Sequence, residues 1–215
     1  GVVLTLQNGL GIEADLAAIV GAQRVMGGLC FLCAQKMAPG HICHLDYGTI
    51  TLGDYAPGYT AVGISERMQQ IAADWERAGL NMQLTEDLLL TRWKKLIWNI
   101  PFNGLSVVLN ATTAEMIADD AIRSLVRQIM QEVVCAAAQC SQRQIPDSFI
   151  DKMLTDTAKM KSYKTSMKLD YEHSRPLELE SILARPLQLA AQVGLELPRI
   201  TMLYNQLLFL TQHRN

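Results

Sequence analysis

The hydrophobic period of this chain changes once, near Thr85, and that change does most to limit what the chain can fold into. Before it the apolar runs are short and punctuated by glycine, proline and asparagine; after it they recur at helical spacing to the end. Ahead of the change, Val2 to Leu6 reads as a strand ended by the turn-forming Gln7-Asn8-Gly9, and Ile12 to Val20 as a short helix closed by Gly21. Arg24 to Ala34 reads as a further strand. Pro39-Gly40 then turns the chain into His41 to Asp46, and Tyr47-Gly48 turns it again into Thr49 to Leu52, so the last two runs predict a hairpin. Ile64, Met68, Ile71, Trp75 and Ala78 repeat at helical spacing with Gly79 as the stop, and Met82 to Leu84 is a brief strand.

Beyond the change every segment predicts helix. Thr85 serves as an N-cap, with Glu86 and Asp87 in the first turn, where negative charge favours the helix dipole. Asp119 or Asp120 starts the next helix, whose stripe is Ile122, Leu125, Val126, Ile129, Val133, Val134 and Ala137. Pro146 opens a third, Pro176 a fourth that ends near Gly194, and a last one runs from about Arg199. Two domains are therefore expected, a mixed α/β part over 1–85 and an all-helical part over 86–215, with helix dominant overall. The chain opens on Gly1 and enters the apolar run Val2-Val3-Leu4-Thr5-Leu6 at once, which leads to the expectation that further sheet belongs upstream.

With 49% apolar and 19% charged residues among 215, the chain can bury a core and is not a disordered segment. A net charge of −2 gives no case for nucleic acid or an anionic membrane as partner. No stretch approaches about 18 uninterrupted apolar residues, and the N-terminus has no basic-then-apolar signal design. A soluble cytoplasmic protein is expected. The cysteines, Cys30, Cys33, Cys43, Cys135 and Cys140, are odd in number, against a secreted disulfide framework. Cys30 and Cys33 have the spacer of a metal pair but sit within Gly28-Leu29-Cys30-Phe31-Leu32-Cys33 with no second pair, so they read as small buried hydrophobes. His41 and His44 flank Cys43 without a carboxylate companion; no metal is expected.

Three polar clusters remain. In Trp93-Lys94-Lys95-Leu96-Ile97-Trp98-Asn99-Ile100-Pro101-Phe102-Asn103-Gly104, residues Lys95, Asn99 and Asn103 stand at i, i+4 and i+8, one side of a helix among bulky apolar neighbours. Spacing alone leaves two readings open: a snorkelling lysine with two backbone-bonded asparagines, or a binding site. Pro101 favours the second, because it cannot donate to the Ile97 carbonyl, and polar backbone freed in a helix is tolerable where a ligand sits. The second cluster is Ser166-Met167-Lys168-Leu169-Asp170 followed by Arg175-Pro176-Leu177-Glu178; Ser166 and Asp170 share a helix face, while Glu178 falls in a first turn, where capping would also explain it. The third is Gln7-Asn8-Gly9-Leu10-Gly11 at a strand end. It is not a dinucleotide fingerprint, and no GxGxxG occurs in the chain.

Taken together and in this order, the clusters resemble the ketopantoate reductase family. Gln7-Asn8-Gly9 is similar to its strand-end Asn-Gly. Trp93-Lys94-Lys95-Leu96 with Asn99 and Asn103 is similar to its lysine helix, and Ser166-Met167, Asp170 and Arg175-Pro176-Leu177-Glu178 to its C-terminal signature. The resemblance implies the tail of a Rossmann-type α/β domain followed by an all-α domain like the C-terminal domain of 6-phosphogluconate dehydrogenase. It implies reduction of 2-dehydropantoate to pantoate by NADPH in pantothenate biosynthesis, with Lys95 as general acid and Glu178 orienting substrate and lysine and keeping the lysine protonated. Asn99, Asn103, Ser166 and Asp170 would hold the substrate, with Ser166 on its carboxylate. Asn8, Gly9 and Glu178 would face the cofactor, and a homodimer is implied as well. Thr113 stands where some members carry a further substrate-contacting asparagine, which implies a different recognition of the diol-like end. The family's glycine-rich N-terminal half has no counterpart, so this chain by itself is expected to bind NADPH poorly and to be inactive. The alternatives are reduction of another 2-keto acid, or a non-catalytic helical module in which Lys95 and Glu178 form a structural ion pair.

Overall fold

A computed structural model describes residues 1–160 and 164–213, residue 35 by its backbone alone. The chain forms two compact units, Gly1–Arg92 and Trp93–Asn215.

The first unit is built from β1 (Val3–Thr5), α1 (Ile12–Val20), β2 (Val25–Ala38), β3 (His41–Asp54), α2 (Glu66–Arg77) and β4 (Asn81–Leu84). The sheet order is β1-β2-β3-β4; β1–β2 and β3–β4 are parallel and β2–β3 antiparallel. Each parallel pair is joined through a helix, as parallel strands require. Alternation along β2 sends Met26 to a cluster with Leu52, Met68 and Ala72, and Val25 and Leu29 to a cluster with Tyr55 and Leu88. Residues of α2 pack on the first cluster and Ala14, Leu16 and Ala17 of α1 on the second, so both faces of the sheet's centre are covered.

One prediction fails here. Tyr47-Gly48 does not turn the chain; β3 runs unbroken from His41 to Asp54, and its hairpin partner is β2, with the turn at Pro39-Gly40. Phe31 pairs with Thr49 and Leu32 with Tyr47, so Gly48 is the extra residue of a bulge. The positive φ of Tyr47 (58°) and Gly48 (147°) is absorbed within the ladder, because β2 extends to Ala38 and keeps pairing beyond it.

The division between the units falls inside α3 (Leu88–Val108). There follow α4 (Thr113–Ala118), α5 (Asp120–Ser141), α6 (Asp147–Lys159), α7 (Ser166–Glu172), α8 (Arg185–Gln192) and α9 (Pro198–Gln212). Thr85 is not the cap of α3. The Leu90 N–H donates to Asp87 Oδ1 at 2.9 Å, while Thr85 Oγ1 lies 2.8 Å from Thr91 Oγ1, so the helix starts later than predicted. Pro176 likewise opens no helix: helical structure resumes at Leu179 and passes through a π turn over Glu180–Ala184 before α8. Pro186 has no N–H for the Ile182 carbonyl, and the ladder widens just ahead of it.

Two other helices are capped locally. Asp119 accepts from the Ala121 and Ile122 N–H groups, and Thr112 with Glu115 forms a capping box on α4. Glu132, buried on α5, accepts from the N–H groups of Arg199 and Ile200 and so caps α9 from a distance in sequence that no local pattern signals. No helix among the described residues is long and apolar enough to cross a membrane.

Candidate functional site

Helix α3 is buried nearly all round. Trp93, Leu96, Ile97, Ile100, Phe102, Leu105 and Val107 each expose less than a twentieth of their surface, as expected of a central helix. Within that apolar cylinder runs one polar stripe: Arg92, Lys95, Asn99, Asn103 and Ser106, whose successive steps of three or four residues confine it to about 80° of arc. All five are buried, Lys95 to 9% exposure, Asn99 to 5% and Asn103 to 2%. Pro101 lies inside the helix and does not end it.

The ends and the middle of the stripe differ in how their polar atoms are satisfied. At one end, in the first unit, the Arg92 guanidinium and the Glu13 carboxylate form an ion pair at 1% and 0% side-chain exposure. Arg92 Nε donates to Glu13 Oε1 at 3.1 Å and Nη1 to the Gln7 carbonyl at 2.6 Å; Thr5 Oγ1 and the Tyr59 hydroxyl donate to the same carboxylate at 3.0 and 2.8 Å. Burial, and then the Glu13 charge, push the Tyr59 phenol well above its ordinary range, so it donates to Glu13 as a neutral group. At the other end, Ser106 Oγ donates to the Asn103 carbonyl at 2.9 Å and lies 2.8 Å from Thr165 Oγ1.

In the middle the accounting does not close. Asn99 Nδ2 and Asn103 Oδ1 are buried and have no hydrogen-bond partner among the described residues, and the same holds for Trp93 Nε1. Each such group forfeits about 1–3 kcal/mol of hydration. A donor and an acceptor one helical turn apart, beside a lysine, form a polar lining that a small hydroxylated or carbonyl compound would complete. Trp98 shows the contrast: its Nε1 reaches Thr157 Oγ1 of α6 at 3.0 Å.

The remaining predicted residues are placed as follows. Ser166 is the first residue of α7 and is exposed; Thr165, its N-cap, is joined to α3 through Ser106. Asp170 is paired with Arg175, Nε to Oδ1 at 2.6 Å, and the Arg175 N–H meets the Asp170 carbonyl at 2.8 Å, which closes the turn after α7. Glu178 is half-buried and immediately precedes the helix resumed at Leu179, where its carbonyl accepts from the Ile182 N–H at 3.1 Å. Asn8 and Gly9 belong to the first unit, in the turn between β1 and α1. Lys95, Asn99 and Asn103 are thus brought to one face and linked through Ser106 and Thr165 to the start of α7.

Sequence reading missed Arg92, Glu13, Ser106 and Thr165. Arg92 and Ser106 extend the same helical period as Lys95 and could have been found by continuing it in both directions; Glu13, 79 residues from Arg92, carried no signal. No group of three or more metal-ligating side chains occurs among the described residues, and the five cysteines form no disulfide. Burial raises the Cys33 thiol to about 11, which keeps it a neutral hydrophobe. An open groove of about 1220 Å³, lined by Leu187, Leu197, Met202 and Phe209, lies between α8 and α9 and includes none of the stripe.

Comparison with known proteins gives a consistent result. Residues 87–211 match the family described as "Ketopantoate reductase PanE/ApbA C terminal", and residues 1–57 the one described as "Ketopantoate reductase PanE/ApbA". The chain is 58% identical over 210 residues to a 2-dehydropantoate 2-reductase of Nostoc sp. strain PCC 7120, covering 98% of this chain and 66% of that protein. It is 29% identical over 181 residues to the enzyme of the same name from Mesorhizobium japonicum, covering 84% of this chain and 53% of that one. The crystal structure of 2-dehydropantoate 2-reductase from Geobacter metallireducens superposes with a TM-score of 0.91 at 42% identity, covering 97% of this chain and 68% of that one. The chain therefore spans between 53% and 66% of the length of these two curated relatives.

Proposed function

Since the chain belongs to the ketopantoate reductase family, we propose that the protein containing it reduces 2-dehydropantoate to pantoate with NADPH as the hydride donor. The observation that carries this reading is the pair of unsatisfied buried amide atoms, Asn99 Nδ2 and Asn103 Oδ1, one turn apart on the lysine helix.

The residues present fit one end of a nicotinamide dinucleotide. Gly9 and Gly11 hold φ of 103° and 82°, so the turn after β1 follows a path open to glycine, and α1 begins there without a side-chain cap. Asn8 and Gly9 would hold the nicotinamide side, while the sequence contains no glycine-rich fingerprint for the pyrophosphate. When bound, the cofactor supplies the hydride that C2 of the keto acid receives.

The chain's own residues supply the rest. The Lys95 ammonium delivers the proton to the C2 oxygen and stabilises the charge that grows there as the carbonyl becomes an alcohol. Asn99 Nδ2 donates to, and Asn103 Oδ1 accepts from, the hydroxyl end of the substrate. Ser166, at the N-terminus of α7, binds the carboxylate, aided by the positive end of the helix. Glu178 orients the substrate and Lys95 and faces the cofactor, and Asp170, on the same helix as Ser166 and paired with Arg175, completes the substrate-binding set. The same reading makes the protein a cytoplasmic homodimer, which sedimentation velocity of the purified protein checks.

The test is NADPH oxidation by the full-length protein over a panel of 2-keto acids. The ketopantoate rate should lead the panel. Lys95→Ala should lower kcat by about 10²–10⁴-fold. Asn103→Ala should raise the substrate KM about 5- to 150-fold, one lost hydrogen bond of about 1–3 kcal/mol, with little change in the melting temperature of the ligand-free protein. Turnover of no 2-keto acid, or full activity in Lys95→Ala, would overturn the assignment.

A further inference from the structure

Four groups in the helical unit form one directed chain of hydrogen bonds that the proposed chemistry does not use. The Lys168 N–H donates to Thr165 Oγ1 at 3.2 Å, Thr165 Oγ1 lies 2.8 Å from Ser106 Oγ, and Ser106 Oγ lies 2.9 Å from the Asn103 carbonyl oxygen. A carbonyl only accepts, so the Ser106 proton is committed to Asn103. The Thr165 proton must then point at Ser106, which leaves the Thr165 lone pairs for Lys168. Both hydroxyls are at 0% exposure, so water offers neither an alternative partner.

An N-cap needs only an acceptor oxygen. Here the proton of the capping hydroxyl is also spent, and it is spent on the helix that carries the Asn99 and Asn103 amides. A second tie runs beside the first: buried Lys168 reaches Asn110 Oδ1, in the turn that follows α3, through its Nζ and lies 3.5 Å from Glu172. The first turn of α7, with Ser166 as its first residue, is thereby held at one point on α3 and at a second in the turn after it.

We propose that Ser106 and Thr165 are positioning residues: they fix the spacing between the Asn99/Asn103 amides and Ser166, and so match the site to the length of its 2-keto acid. This rests on the reductase reading above. A buried hydroxyl pair with one allowed proton arrangement holds that spacing more rigidly than apolar packing, which tolerates small slides between helices.

The test compares Thr165→Val, Thr165→Ser and Ser106→Ala in the full-length protein. Thr165→Val and Ser106→Ala should each raise KM for 2-dehydropantoate about tenfold, with kcat changed less than about threefold, the cost of one misplaced hydrogen bond. Thr165→Ser keeps the hydroxyl and should restore KM to within about twofold of the parent. The Kd for NADPH, read by fluorescence titration, should not move in any of the three. Ser106→Ala leaves the α7 cap intact, so it carries the test if Thr165→Val does not fold. An unchanged KM in Ser106→Ala, or a Thr165→Ser as impaired as Thr165→Val, overturns the proposal. A parent protein that reduces no 2-keto acid overturns the reductase reading instead, and the two failures are thus distinct.

Discussion

Arg92 and Glu13 show how differently two polar neighbours on one helix can be used. Their ion pair is almost completely dry; Thr5 and Tyr59 donate to the Glu13 carboxylate, and the Gln7 carbonyl accepts from Arg92. Gly27 is part of the same arrangement, because a Cβ there would lie 2.5 Å from Glu13 Oε1. A paired buried charge contributes little net stability, but a stranded one is costly. Arg92→Met should therefore destabilise the protein by about 3–5 kcal/mol, and Glu13→Gln added to it should recover part of that loss. Urea unfolding of the parent, both single variants and the double variant gives the coupling energy directly. Asn99 Nδ2 and Asn103 Oδ1, by contrast, are buried without a hydrogen-bond partner among the described residues.

Helix α3 carries both the paired and the unpaired polar groups, and its packing is tight at Leu203 of α9. A Cβ added to Gly104 would lie 2.6 Å from Leu203 Cδ2 and 2.9 Å from its Cγ. Leu203 is at 1% exposure and has no room to retreat. Helix propensity alone would make Gly104→Ala a gain of about 1 kcal/mol. Overpacking costs about 1–3 kcal/mol, so the expected outcome is a net loss, measured as a lower urea midpoint. The start of this helix was misread for a physical reason: Thr85, Glu86 and Asp87 all suit a helix N-terminus, and only the reach of Asp87 Oδ1 to the Leu90 N–H decides among them. The π turn before Pro186 was missed because proline's missing donor marks a disturbance without saying how the ladder will close around it.

Across the molecule the ionic groups add pH dependence that can be read separately from catalysis. Glu172 is held below the usual carboxylate range, first by its hydrogen bond from Lys164 and then by the charges of Lys164 and Lys168; Glu115 is held down by the Thr112 backbone N–H and hydroxyl. A depressed folded pKa gives stability that is present above the unfolded value of about 4.3 and is lost as pH falls through the folded one. Melting temperatures of the parent and Glu172→Gln should therefore differ at pH 7 and converge below about pH 4. A difference that persists in acid would show that Glu172 acts through packing rather than charge.

The sequence by itself determined most helix positions and the Lys95, Asn99 and Asn103 face, because these depend on short-range periodicity and on residues a few positions apart. It also made the resemblance to a reductase family readable from motif order. It did not determine the unbroken β3, since Tyr47-Gly48 looks the same in a turn and in a bulge until the partner strand is known. Nor did it reveal the Arg92–Glu13 pair, Glu132 beneath α9, or the Ser106–Thr165 link, whose partners stand 79, 67 or 68, and 59 residues apart. Those pairings arise when distant segments exclude water together, and only the tertiary structure decides which buried polar groups meet.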